Sequence, residues 1–338
     1  MSTLVLLLAC AAPDSSQAWR DRQPPAGPDP AIEAAGAAPR VAKARQLEAI
    51  DTVVEREPQE VVRFVALGDA GEGNPKQYEV GDSMTRICAE RGCDYAVYLG
   101  DNFYNNGIGE EDDPQWDLKF ELPYANLHVP FYVTLGNHDY GGNGSGYEFW
   151  KAPFYIEYTD ISDKWVFPAQ FFRVTGGVVD LWSLDTNAAV WGFFEDQSAW
   201  LQATVPASTA TWKIAFAHHP YLSNGPHGNA GQYDGAPGSP IGDGEYVKEL
   251  LDDGVCGKID LFLCGHDHNR QWLVDTCQGT ELVVSGAGSK TTPLSGENAT
   301  YFEKSTEGFL WVEADATHLT GVFYDAEGNE EFERTIYK

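Results

Sequence analysis

Residues 95–104 read YAVYLGDNFY: an apolar, β-prone run, Tyr95–Leu99, followed at once by Gly100, Asp101, Asn102, Phe103 and Tyr104. A run without polar alternation suits a strand covered on both faces, and a polar cluster just past its end faces the crevice where open α/β sheets hold ligands. The same design recurs along the chain. Val61–Leu67 precedes Gly68-Asp69, Phe131–Leu135 precedes Gly136-Asn137-His138, Trp212–Ala217 precedes His218, and Leu261–Cys264 precedes Gly265-His266-Asp267-His268. Helical patterns lie between these runs. Tyr78–Arg91 sets Val80, Met84, Ile87 and Cys88 on one face before Gly92, Asp196 is placed to cap a helix carrying Ala199, Trp200 and Leu201, and Glu245–Asp253 offers Val247, Leu250 and Leu251. Hairpin signals cover Phe171–Leu184 and, near the end, Gly308–Tyr324 and Glu330–Tyr337. The expected class is α/β: a two-sheet β-sandwich flanked by helices.

With 338 residues, 43% hydrophobic and 13% aromatic, the chain excludes wholesale disorder, collagen-like repeats and a small disulfide scaffold. Its 51 Asp+Glu against 22 Lys+Arg give a formal charge of −29, a field that repels phosphate backbones, so nucleic acid is not an expected partner. Met1–Ala12 is apolar but shorter than the roughly 20 residues a membrane-crossing helix needs. Leu7-Leu8-Ala9-Cys10 resembles the lipobox of bacterial lipoproteins, although no basic residue precedes it. We therefore expect a signal segment over residues 1–10, an Ala/Pro-rich tether over 11–58 and a catalytic domain over 59–338. Export to the cell surface or periplasm, or secretion, follows, with membrane contact only through a lipid at Cys10 and the body a monomer. The run Ala42–Val54 is helix-compatible and is left outside the domain. Beyond the tether Cys88, Cys93, Cys256, Cys264 and Cys277 allow two bridges; Cys264 reads as a buried thiol, and we expect Cys88–Cys93 and Cys256–Cys277, although spacing alone does not fix connectivity.

The strand-end residues carry the chemistry. Carboxylate, amide and phenolate oxygens suit hard cations, and imidazole suits zinc, manganese and iron. Asp69, Asp101, Tyr104, Asn137, His218, His266 and His268 together supply such donors. If one carboxylate bridges, they provide four bonds to each ion of a close pair. Alone, a Gly-Asp is a turn and a buried histidine a core residue; the joint pattern is what overturns those readings.

These motifs, Gly68-Asp69-Ala70-Gly71, Gly100–Tyr104, Gly136-Asn137-His138-Asp139, His218 before His219-Pro220, and Gly265–His268, resemble the ordered metal-binding motifs of the purple acid phosphatases, in the calcineurin-like metallophosphoesterase superfamily. The likeness runs from about Arg63 to the C-terminal hairpins, and Gly265–Gln271 with Val284–Gly288 is similar to the small, tartrate-resistant branch. The resemblance implies an α/β/β/α four-layer fold. It further implies an acid phosphatase hydrolysing small phosphate monoesters with a metal-activated water. Asp69, Tyr104 and His268 would hold Fe(III), Asn137, His218 and His266 a divalent Fe, Zn or Mn, and Asp101 would bridge. His138 is the expected leaving-group acid, oriented by Asp139, with His227 as backup.

Some residues depart from the family pattern. Ala70 stands where an aromatic residue is usual and His219 where a tyrosine is usual, and both bear on the substrate pocket. Asn187–Glu195 is shorter than the loop that represses the mammalian enzymes, so proteolytic activation is not carried over. The Gly-, Pro- and Asn-rich stretch Leu222–Gly244 looks inserted and is read as a specificity loop or a surface excursion. Competing readings are a phosphodiesterase or nucleotidase on the same centre, and a non-catalytic metal-binding surface lipoprotein.

Overall fold

The computed structural model describes residues 51–232 and 244–338. The signal segment with Cys10, most of the tether and residues 233–243 of the inserted stretch lie outside the described residues. In chain order the first half contains β1 (Val53–Glu55), β2 (Val62–Leu67), α1 (Pro75–Arg91), β3 (Tyr95–Leu99), β4 (Phe131–Thr134), α2 (Ala152–Glu157), β5 (Trp165–Val166), β6 (Phe172–Thr175) and β7 (Val179–Ser183). Then follow α3 (Thr186–Val190), α4 (Glu195–Thr204), β8 (Trp212–Phe216), α5 (Gly244–Gly254), β9 (Leu261–Cys264), β10 (Arg270–Leu273) and β11 (Glu281–Ser285). The chain closes with β12 (Thr300–Lys304), β13 (Gly308–Ala314), β14 (His318–Asp325) and β15 (Glu330–Tyr337).

Among the described residues the strands form two mixed sheets, ordered β1-β6-β7-β8-β9-β11-β10-β12 and β15-β14-β13-β2-β3-β4-β5. Side-chain alternation separates the faces of the first sheet. Leu181, Ile214, Leu261, Leu263 and Val283 join one core with Phe64, Val97 and Val133 of the second sheet. Their neighbours Trp182, Ala215, Phe262, Leu282 and Val284 point the other way, onto Leu201 of α4 and Leu250 of α5. On the far side of the second sheet α1 contributes Val80, Met84 and Ile87. The apolar runs are continuous because both faces are covered, one by the opposing sheet and one by helices. Buried hydroxyls bind the two sheets across the core: Ser285 Oγ donates to the Ala66 carbonyl at 2.9 Å, and Thr134 Oγ1 to the Leu184 carbonyl at 2.7 Å.

Helix α1 begins three residues before the predicted start, because the Asn74 side chain accepts from Gln77 N and Pro75 occupies the first turn; it ends at Gly92 as expected. Asp196 does not cap α4. Phe194 occupies that position without a side-chain bond, and Glu195 and Asp196 lie in the first turn, where negative charge complements the exposed N–H groups. The tether boundary also moves. Val53–Glu55 pairs in parallel with Arg173–Thr175, and the Asp51 carboxylate takes a two-pronged contact from the Arg173 guanidinium at 2.7–3.2 Å and one from Trp200 Nε1 at 3.0 Å. The end of the expected tether, and of the helix-compatible run before it, is thus an edge strand, too short to show a period of its own. The bridges are Cys88–Cys93 and Cys256–Cys277, with Cys264 free and buried.

Candidate metal centre

Strands β2, β3 and β4 run parallel in one sheet, β8 and β9 in the other, so their carboxyl ends open on one edge of the sandwich. The backbone turns sharply there. Asp69, Asp101 and His266 all sit at positive φ, 56°, 52° and 69°. Such conformations cost on the order of 1–3 kcal/mol each and persist where the surroundings over-determine them. Close approach also dictates the glycine before Asn137: a Cβ on Gly136 would lie 2.3 Å from Asp101 Oδ1.

The donors gather in two groups. In one, the Tyr104 hydroxyl donates to Asp69 Oδ1 at 2.9 Å and lies 3.2 Å from His268 Nε2, which is 3.5 Å from Asp69 Oδ1. In the other, His218 Nε2 lies 2.9 Å from Asn137 Oδ1 and 3.1 Å from His266 Nδ1. Asp101 stands between them, with Oδ1 3.5 Å from His218 Nε2, and ligand atoms of Asp69, Asp101 and His268 all lie within 4.8 Å of one another. Outer contacts aim these atoms inward. His218 Nδ1 is 2.9 Å from the Leu99 carbonyl, which leaves Nε2 to the site, and Asn137 Nδ2 donates to the Gly144 carbonyl at 2.8 Å, which turns Oδ1 inward.

This constellation fits metal ions. Asp69 and Asp101 are almost fully buried, and among the described residues their ion-pair partners within 4 Å are His268 and His218, not lysine or arginine. Burial pushes Asp69 up to about 8, and burial, followed by the neighbouring Lys290, pushes His268 down to about 3. Burial opposes charge on His218 as well, but the Asp101 and Asp69 carboxylates outweigh it and hold the ring up to about 10. In the bare protein a proton therefore sits where acceptor atoms crowd, and a cation is what such a cluster calls for.

Around the donors, His138 Nδ1 lies 2.8 Å from the Asn105 carbonyl, while its backbone N–H donates to Asp101 Oδ1 at 2.9 Å. The expected partner Asp139 is elsewhere. Its buried carboxylate accepts from the N–H groups of Asn102, Phe103 and Gly136 at 2.8–3.1 Å, bracing the β3 and β4 turns, and does not orient His138. Residues flanking the motif do that work instead. Three successive carbonyls, of Tyr104, Asn105 and Asn106, are held by Lys119 Nζ, His138 Nδ1 and Lys151 Nζ. The lysines lie on separate segments, so no motif could signal them. His219 is buried behind the donors, with Nδ1 3.0 Å from Thr186 Oγ1 and its ring 4.4 Å from that of His266. His227 is exposed, and its ring lies 4.0 Å from that of His266. The described start of the inserted stretch is anchored rather than loose: Ser223 Oγ and His227 N both donate to the Asp267 carboxylate.

Acceptor-lined strand ends on a two-sheet α/β sandwich make a site fit for metal ions, and similarity to known proteins supplies the class. The calcineurin-like phosphoesterase family profile matches residues 62–270. Purple acid phosphatase 4 of Arabidopsis thaliana is 30% identical over 303 residues, 80% of this chain and 82% of the relative, and human tartrate-resistant acid phosphatase type 5 is 29% identical over 81% and 90%. Among solved structures, the yellow lupin purple acid phosphatase PPD1 superposes with a TM-score of 0.63 at 18% identity, over 83% of this chain and 55% of that one. The chain belongs to the calcineurin-like phosphoesterase family, in its purple acid phosphatase branch. It is a metal-dependent phosphatase.

Proposed function

We propose that the site holds two metal ions and hydrolyses phosphate monoesters, with Asp69, Tyr104 and His268 facing Fe(III), Asn137, His218 and His266 facing a divalent Fe, Zn or Mn, and Asp101 between them. The observation that carries this reading is the sorting of seven side chains into two acceptor groups with one carboxylate between. Ions of this kind, when bound, supply Lewis acidity that neutralises phosphoryl charge and makes water nucleophilic near neutral pH.

The chain's own groups divide the remaining work. Nδ1–H of His138 donates to the Asn105 carbonyl, so Nε2 is the atom free to exchange a proton, and the half-buried ring gives it to the departing alkoxide. A side chain at Gly144 would meet that ring, its Cβ 2.7 Å from Nε2, so the glycine keeps the acid's place open. Exposed His227 is placed to meet the ester from the His266 side. His219 is buried with its ring 4.4 Å from that of His266 and 5.0 Å from that of His218, so its part is to support these two rings.

Elemental analysis and a visible spectrum of aerobically purified protein test the centre, and rates on p-nitrophenyl phosphate against its bis ester test the substrate class. Iron with a tyrosinate absorption band and faster monoester turnover are expected. Iron-free active protein, or preference for the diester, would overturn the corresponding part. The sequence around Leu7–Cys10 further supports acylation at Cys10, which the mass of the mature N-terminus tests.

A further inference from the structure

Lys290 is a cation set against the centre by a tightly held strap. The backbone after β11 is clamped onto the metal-facing turns at several points. Gly288 N donates to the Gly68 carbonyl at 3.0 Å, Ser289 Oγ to the Asp69 carbonyl at 2.6 Å, and Thr292 N to the His268 carbonyl at 2.9 Å. Asn74 Nδ2 fixes the strap from the other side through the Ser289 carbonyl at 2.9 Å. Between these clamps the Lys290 ammonium lies 3.1 Å from the Tyr104 ring centroid and 2.7 Å from Glu72 Oε1. The contact is more than a surface ion pair, because Lys290 and Glu72 are each less than a third exposed. In a chain with 51 acidic and 22 basic residues, a lysine held over a ligand ring is a specific placement.

A cation on an aromatic face attracts the ring's electron density, and more strongly when the pair is desolvated. The attraction grows when the oxygen carries negative charge, since full charges then face each other across a partly dry gap. We propose that Lys290 is a positioning charge for the tyrosine ligand, lowering the energy of the Tyr104 electrons and thereby setting how strongly the phenolate donates to the ion it faces. This rests on the reading above, in which Tyr104 faces Fe(III). Glu72 partly neutralises the lysine and so moderates the same effect.

The test compares visible spectra and iron reduction potentials of wild type, Lys290→Met, Lys290→Arg and Glu72→Gln, each with iron content and Tm measured. Lys290→Met should move the tyrosinate band to longer wavelength and lower the potential, Lys290→Arg should keep both near wild type, and Glu72→Gln should shift the band to shorter wavelength. Should Lys290→Met lose iron or fail to fold, the direction of the Glu72→Gln shift decides. A wild-type iron protein without the band would defeat the Fe(III)–Tyr104 reading. A wild-type band that Lys290→Met leaves unmoved at full iron content, or that methionine and arginine shift alike, would defeat the role of Lys290 alone.

Discussion

At the residue scale, the proposed tasks of holding a cation and donating a proton fall to different side chains. Asp101 lies between the two donor groups, whereas His138 donates its backbone N–H to Asp101, sets its ring 4.5 Å from that of Tyr104 and turns Nδ1 to the Asn105 carbonyl. Removing each should therefore fail differently. Asp101→Ala should lose both turnover and metal. His138→Ala should keep the metal and slow turnover of poorly activated esters by roughly two or more orders of magnitude, the usual worth of a positioned general acid. Metal content and kcat measured together check this, and a His138→Ala protein with full activity on an alkyl phosphate would refute the acid assignment.

At the scale of elements, two pieces that carry no motif hold the machinery in place. The first is the Tyr104–Asn106 segment, whose carbonyls meet Lys119, His138 and Lys151. Lys151 is buried and paired with Glu148 at 3.2 Å, so Lys151→Met strands a carboxylate and a carbonyl. It should cost about 1–3 kcal/mol and lower kcat less than His138→Ala does; denaturant melts and steady-state rates are the measurements. The second is edge strand β1, secured by Asp51. The Arg173 hydrogen bond holds the Asp51 carboxyl below its ordinary value, so the contact stabilises above the unfolded carboxyl's pKa and its benefit is lost as pH falls through the depressed value. Asp51→Asn should lower stability by about 0.2–1 kcal/mol at neutral pH, and the gap from wild type should close below roughly pH 4. A gap that widened on acidification would contradict this sign.

On the scale of the whole molecule, a net charge of −29 surrounds a site built for an anion. An ester dianion is repelled from afar and attracted only near the centre, and added salt screens the first effect more than the second, because the Debye length shrinks to about 8 Å at physiological ionic strength. The expected outcome is that kcat/KM for a dianionic monoester rises from low salt to about 0.15 M with a non-coordinating salt. A fall over that range would show that attraction by the site itself outweighs the acidic surface at low salt. No described helix is long and apolar enough to cross a membrane.

The strand ends were legible because each pairs an apolar run with a polar residue immediately after it, a local pattern that burial on both faces enforces. The disulfides are the expected pairs, but spacing had left the connectivity open, since Cys256 lies nearer in sequence to the free Cys264 than to its partner Cys277. Asp139 was misread because adjacency in sequence suggested a partner for His138, whereas a positive-φ turn at Asp101 brings the β3 loop amides onto its carboxylate instead. Asn105 could not be found in advance, since every residue has a carbonyl. Nor could Lys290, whose place depends on a strap hydrogen-bonded to turns more than 200 residues earlier.

From the amino-acid order alone came the layers, the donor types and the family likeness, since hydrophobic period and donor chemistry are properties of short segments. Tertiary structure alone decided which donor atoms face each other, which carbonyl orients His138 and which cation lies over Tyr104. Those relations depend on how parallel strands from two sheets bring distant turns to one edge, a matter of packing that no segment encodes by itself.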